Sequence, residues 1–204
     1  MNDVTPTRSA LIELKEERVA MHEGYVFLDE KCLLLAREIL AQLERYDALA
    51  DHIERLRGEA GRALRAAIAR HGLEGVQCYP AVAGSETELQ LTRGSLMGVK
   101  LQEAELLSAA ERIEAAANPT PEAEACRRVF RELLLQSARL AALSGNLERL
   151  WHEYRRSARR ARALHDVLLP EIDETLHDME ARLDELEQEE ARTVRSRKAS
   201  WGLW

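Results

Sequence analysis

Six histidines are the residues of this chain best suited to acid–base or metal chemistry, and their spacing makes little use of it. His22, His52, His71, His152, His165 and His177 are scattered. A carboxylate and an imidazole three residues apart share one helix face, and two such Glu-x-x-His pairs with further glutamates build a di-metal site. Only Glu174-Thr175-Leu176-His177 has that spacing, in a single copy. There is no HExxH zinc pattern and no GxxxxGK[ST] phosphate loop. Cys32, Cys78 and Cys126 follow neither CxxC nor Cys/His metal spacing, and an odd, scattered set fits a reducing compartment without a disulfide framework. Carboxylates are plentiful, but none stands out as an acid–base pair. These residues therefore predict no catalytic group, no metal and no cofactor.

Two charge blocks are better defined. Arg155, Arg156, Arg159, Arg160 and Arg162 place five positive charges within eight residues. From Glu171 to Glu190 there are ten acids against the single Arg182. Each block reads either as a solvated helix face that pairs across to a neighbouring helix, or as a surface for a charged partner. Arg192, Arg195, Arg197 and Lys198 follow, as suits a helix C-terminus. The tail Trp201-Gly202-Leu203-Trp204 carries two tryptophans that favour a partner surface.

The element that must position these blocks is a long first helix. Alternate steps of three and four from Leu11 reach Leu14, Arg18, Met21, Tyr25, Leu28, Cys32, Leu35, Ile39, Gln42, Tyr46, Leu49, Ile53, Leu56, Ala60, Ala63 and Ala67. Only Arg18 and Gln42 break the apolar run. This is the a/d seam of a left-handed coiled coil. Thr7 is the predicted N-cap. The helix is expected to run to about Arg70, with His71-Gly72 as its C-cap. At 1.5 Å per residue it would be roughly 90 Å long, too long for a compact domain, so its seam needs an equally long partner. Gly24, inside the helix, reads as a close approach to another helix.

The partner lies in the C-terminal half. Thr120 caps a second long helix with Pro121 at its first position and Glu122 and Glu124 in the first turn. Its seam reads Phe130, Leu133, Ser137, Leu140, Ser144, Leu147, Trp151, Tyr154, Ala158, Ala161, His165, Leu168, Ile172, Thr175, Met179, Arg182 and Leu186. Pro170 removes a backbone donor and crowds the Asp166 carbonyl, so a kink is expected there. Between the helices, glycines at 72, 75, 84, 94 and 98 and alternating Leu89 and Leu91 predict a β-hairpin. Its strands are placed at 76–82 and 88–92 with Gly84-Ser85 in the turn. A short helix is expected over 101–117. The fold class is thus mainly α: an antiparallel two-helix coiled coil with a small central β-hairpin and a short helix at one end. The divisions are 1–71 for the first shaft helix, 72–119 for the central region and 120–204 for the second helix and tail.

The totals are compatible with this. The net charge of −7 excludes a general nucleic-acid binder. No window approaches 18 apolar residues and no signal peptide is apparent, so a soluble, cytoplasmic chain without membrane insertion is expected.

Three separated stretches resemble the D subunit of the V/A-type ATPases, the central rotor shaft. The first is Val4-x-Pro6-Thr7-Arg8 with Leu11, Leu14-Lys15, Gly24, Leu28 and Lys31. The second is Leu96-Met97-Gly98-Val99-Lys100. The third is Arg159-Arg160-x-x-Ala163-Leu164 with Val167, Pro170, Thr175 and Leu183-Asp184-Glu185-x-Glu187. The chain departs from the family pattern at Cys32, where a basic residue is frequent, and at Gln102-Glu103, where proline is. The resemblance implies a non-catalytic shaft. Its terminal tip would enter the ring of catalytic A and B subunits. Its middle would bind the small F subunit of the central stalk and seat in the C/d socket subunit above the membrane rotor ring. It places partner contacts at Arg8, Lys15, Met97, Gly98, Val99, Lys100, Arg155, Arg156, Arg159 and Arg160, and implies a cytoplasmic location peripheral to the membrane. The alternative is a free-standing coiled-coil scaffold or prefoldin-like chaperone, which gives the first two stretches no role. A charge on a seam is costly, so Arg18 is expected to pair with Glu180 or Asp184.

Overall fold

A computed structural model describes residues 7–77, 79, 87–108, 116 and 118–201. Helix α1 spans Arg8–Gln77, strands β1 Thr87–Leu96 and β2 Val99–Ser108, helix α2 Pro121–Ala163, a π turn Leu164–Leu168 and helix α3 Leu169–Trp201. The chain is mainly helical with one two-stranded antiparallel hairpin. Both expected N-caps are in place. The Ala10 amide donates to Thr7 Oγ1 at 3.2 Å and the Ala123 amide to Thr120 Oγ1 at 3.4 Å. Gly72 adopts φ 72° and ψ 168°, a conformation open to glycine and distinct from the αL cap expected there, and the helix kinks at it and resumes to Gln77 instead of ending near Arg70. Contacts divide the chain into one unit of residues 1–33 with 155–204 and another of residues 34–154.

In the 34–154 unit the seam of α1 is the buried one. Leu35, Gln42, Leu56, Ala60 and Ala67 are the buried residues of α1, and all five lie on the 3,4 pattern. Across from them the inward column of α2 runs through Asn146 and Leu150, one residue before the expected Leu147 and Trp151. Trp151 is instead 52 % exposed and stacks on Tyr154 at 5.7 Å between centroids. The cause is a second neighbour. Leu35 and Leu150, both at 0 % exposure, close around Val99 of the hairpin, with Ile39, Leu96, Met97, Leu101 and Tyr154 packed against them. The helix turns its buried side towards both α1 and β2, not towards α1 alone.

The hairpin differs from expectation in three ways. The partner of β1 is β2, from Thr87↔Ser108 to Leu96↔Val99. Val76 and Gln77 close the helix instead of forming a strand, and 80–86, with the expected Gly84-Ser85 turn, lie outside the described residues. Residues 101–108 are strand where a short helix was expected; 109–115 are not described. The turn is Met97-Gly98, with φ 48° and 85°. Positive φ at both central residues matches the right-handed twist of two-residue hairpins. Met97 carries the strain of that conformation, and its side chain packs on the Leu35–Leu150 cluster.

In the other unit, α1 and α3 run antiparallel. Arg8, Lys15 and Arg18 meet Glu187, Glu180 and Asp173, so partners fall in number as α1 advances. The inward column reads Ser157, Ala161, Leu164, Leu169, Ile172, Leu176 and Met179. Its 164-to-169 step of five replaces the expected passage through His165 and Leu168, which face solvent. That step is the π turn, in which the Leu169 amide donates to the Leu164 carbonyl. The wider turn accommodates Pro170, and the helix passes through the proline without breaking. Gly24 sits opposite this turn. A Cβ there would lie 3.8 Å from Leu164 Cδ1, an ordinary contact, so the close approach does not exclude alanine.

The register of α2 is testable. Leu150→Ala should lower stability to urea by about 3 kcal/mol, within the range for buried leucine. Trp151→Ala, on the pattern expected from sequence, should cost under about 1 kcal/mol. The opposite order of effects would refute this packing.

Candidate functional site

Three groups of charged or polar residues stand out, the first turned to solvent and the other two engaged within the chain. The first is the arginine cluster at the end of α2. Arg155, Arg156, Arg159, Arg160 and Arg162 are exposed, while Ser157 and Ala161 between them are buried. The 3,4 spacing forces this split. One narrow stripe faces inward and leaves the remaining positions to solvent. Among the described residues none of the five arginines has an ion-pair partner. The cluster is unneutralised, and its planar, multiply donating head groups match carboxylates.

The second group is the ladder between α1 and α3. Lys15 Nζ lies 2.6 Å from Glu180 Oε1, and Arg8 pairs with Glu187 and Arg18 with Asp173. Asp173 replaces the expected Glu180 or Asp184 as the partner of Arg18, because Glu180 lies level with Lys15. All six side chains are about half exposed or more. Such pairs contribute little to stability. Their use is directional, because they join bases along α1 to acids at seven-residue steps of α3 in antiparallel order. The hydrogen bond from Lys15, then its charge, hold the Glu180 carboxyl below its usual range. A depressed folded-state value means the pair helps above the ordinary carboxylate range and is lost as pH falls through the lowered value. Arg8 and Lys15, expected at partner contacts, are therefore engaged within the chain. Seven of the ten acids of the 171–190 block lie outside this ladder.

The third group is the hairpin anchor. Asn146 is almost fully buried and grips the outer edge of β2. The Gln102 amide donates to Asn146 Oδ1 at 2.8 Å, and Asn146 Nδ2 donates to the Gln102 carbonyl at 2.8 Å. Arg149 Nη2 donates to the same Oδ1 at 2.7 Å and its Nε to the Lys100 carbonyl at 2.9 Å. Side chains of α2 thus satisfy an otherwise open strand edge. Of the expected contact stretch, Val99 is buried in the core, Met97 and Gly98 form the turn, and Lys100 is exposed. Val99 serves the chain's own packing. Asn146 and Arg149 were missed from the sequence. The available signal was an asparagine set among Leu143, Leu147 and Leu150, where a polar residue needs a reason.

Where α2 begins, His71 Nε2 lies 2.5 Å from Thr120 Oγ1. The Tyr79 hydroxyl donates to Glu124 Oε1 at 2.6 Å, which pushes the phenol up. The Arg127 guanidinium lies 5.8 Å from the Tyr79 ring centroid and its Nη1 3.5 Å from Glu124 Oε1, with its side chain 8 % exposed. Its Nε and Nη2 are buried without a hydrogen-bond acceptor. Burial raises the Cys126 and Cys32 thiols, which keeps both less reactive. His165, expected on the seam, is exposed, with Nδ1 2.7 Å from Asp166 Oδ1 and its ring centroid 5.1 Å from that of Tyr25. Among the described residues no three His, Cys, Asp or Glu side chains converge on a metal-sized site, and no helix is long and apolar enough to cross a membrane. Cys78, the Val4–Pro6 part of the first stretch and the Trp201–Trp204 side chains lie outside the described residues.

Two variants test these arrangements. Asn146→Ala should strip the β2 edge and raise amide hydrogen exchange at Gln102 at least about tenfold, with α1 protection unchanged. Arg127→Met should raise the thermal midpoint, because an apolar side chain of similar length removes donors that have no acceptor, a gain of about 1 kcal/mol. A drop in midpoint would show that the Tyr79 and Glu124 contacts outweigh them.

Comparison with known proteins finds relatives along most of the chain. A family model for the D subunit of ATP synthase matches residues 10–199. A V-type ATP synthase D subunit from Thermotoga neapolitana is 30 % identical over 188 residues, covering 92 % of this chain and 93 % of its own length. An A-type ATP synthase D subunit from Thermococcus sibiricus is 30 % identical over 190 residues, covering 91 % and 89 %. One from Methanopyrus kandleri is 26 % identical over 192 residues, covering 93 % and 83 %.

Proposed function

The chain belongs to the ATP synthase D subunit family, and from that premise we propose that it is the non-catalytic central shaft of a V/A-type ATPase. It couples ATP turnover in a ring of A and B subunits to ion movement through the membrane rotor. The observation that carries this reading is the family match over residues 10–199 in a chain whose helices carry heptad seams. In this reading the unit with both termini enters the ring. The Met97–Lys100 hairpin region serves contacts with the small F subunit and the C/d socket subunit. The location is cytoplasmic and peripheral to the membrane, with no nucleic-acid partner.

The physics of a shaft asks for residues of the kind described. Each ring site has to meet a different face of the shaft, so that each orientation favours one nucleotide state through differential contacts. A symmetric helix pair would offer no such difference. The unneutralised arginines on α2 and the acidic outer positions of α3 supply opposite charge at separate places. Arg155, Arg156, Arg159 and Arg160 meet carboxylates at the ring's mouth, and reading the ring's orientation is their role. The ladder of Arg8, Lys15 and Arg18 holds the two helices in register while they do so.

Reconstitution of this chain with purified A and B subunits tests the proposal. ATP should drive rotation of a bead fixed to the chain. The variant R155E/R156E/R159E/R160E should keep its helicity, bind the ring at least about tenfold more weakly and lose rotation, since four charge contacts become repulsions. Rotation of the reversed variant like that of the parent would overturn the role given to the arginines. A ring that never binds the parent chain would overturn the shaft itself.

A further inference from the structure

The face of α1 turned away from its seam is not the face of a helix that ends at solvent. With Leu11, Arg18, Tyr25 and Cys32 at heptad position a and Leu14, Met21 and Leu28 at d, positions b, c and f lie furthest from the partner helix and are ordinarily polar. Here position b is Ile12, Val19, Val26 and Leu33, and the spacing continues in sequence to Leu40. These four side chains and Phe27, at position c, are between 40 and 66 % exposed. Single exposed apolar residues are ordinary, but an apolar column at strict seven-residue steps is a contiguous patch. Position f is equally regular: Glu16, Glu23 and Glu30 are exposed, and none has an ion-pair partner among the described residues. A shallow groove of about 460 Å³ runs along this face, lined by Ile12, Val19 and Ala20, by Glu16 and Glu23, and by Lys15, whose ammonium is held by Glu180.

A seven-residue period stays at a constant angle to the supercoil. An apolar column of that period is therefore a straight track for a third helix, whereas a globular contact would need no such repeat. The glutamates define its chemistry. They repel an anionic lipid surface or a nucleic acid, and they are placed as flanking charges are placed in coiled coils to select a basic partner. We propose that the outer face of α1 over Ile12–Leu33 docks an α-helix of another polypeptide, apolar at heptad spacing and edged by lysine or arginine opposite Glu16, Glu23 and Glu30. The face becomes part of a local three-helix coiled coil. This follows from the helix itself and holds whether or not the chain turns inside a catalytic ring.

The probe is a synthetic helical peptide of roughly three heptads with leucine at the inward positions and lysine at the flanks, titrated against the full chain by fluorescence anisotropy. A second peptide has glutamate in place of every lysine. The lysine peptide should bind at least about tenfold tighter. V19S/V26S/L33S should abolish binding with helicity unchanged, because these side chains do not contribute to the seam. E16K/E23K/E30K should invert the preference towards the glutamate peptide. The proposal falls if neither peptide binds, or if both bind alike. It falls equally if sedimentation shows the chain pairing with a second copy through this face, with V19S/V26S/L33S restoring the monomer.

Discussion

Two helices packed side by side can bury only one narrow stripe each, and this constraint governs the rest of the molecule. With 4 % aromatic residues there is no thick core to fall back on. Most seam residues of α1 between Leu11 and Cys32 are accordingly half-buried, not enclosed. Complete burial of large side chains needs a third layer. Leu35 and Leu150, at 0 % exposure, are the pair that the hairpin covers with Val99. The hairpin is thus a clamp as well as an appendage. Its attachment depends on few atoms, since side chains of Asn146 and Arg149 hold the outer edge of β2 at Gln102 and Lys100.

Polar groups on such thin seams act as register marks. Gln42 is buried on the seam of α1. Its amide nitrogen donates to Glu38 Oε1 at 2.8 Å, while its own oxygen has no partner. A leucine there would pack without that penalty but would also slide more readily. The ladder of Arg8, Lys15 and Arg18 is more exposed, although Arg18 itself springs from the seam. Exposed pairs contribute little energy, so these three hold the register of the helices only together with the half-buried seam beneath them.

The first helix was legible because its neighbours do not disturb its period: all five of its buried residues fall where the 3,4 spacing puts them. The second was legible only in outline, for two physical reasons. Its inward direction near Leu150 is a compromise between α1 and β2, which no single-helix periodicity encodes. Near Pro170 the π turn inserts one residue into the heptad, so the stripe passes through Leu164 and Leu169 and leaves His165 outside. The proline was visible; the π turn that precedes it was not. The hairpin was misplaced because its turn is Met97-Gly98. A methionine at positive φ carries none of the Asn-Gly signal, while Gly84-Ser85 offered a conventional turn. Charges were visible as blocks, but which acid met which base depended on a register that the sequence alone left open.

The inserted residue bears on how such a helix could work. In an uninterrupted coiled coil the angle between the seam and any outer column is fixed by the heptad, so α2 and α3 would present one continuous set of faces. The π turn takes up the added residue within one wider turn, so the column from Ser157 and Ala161 through Leu164 to Leu169, Ile172, Leu176 and Met179 stays inward on both sides of it. The arginines of positions 155–162 and the acids of positions 171–190 stand on opposite sides of that insertion, and each keeps its bearing from the seam. Without the wider turn the added residue would rotate every position beyond it by about 100°, carry Ile172 and Leu176 off the seam and unmatch Lys15 from Glu180. The turn that relieves Pro170 is by the same geometry the element that keeps the two charged surfaces in a common frame.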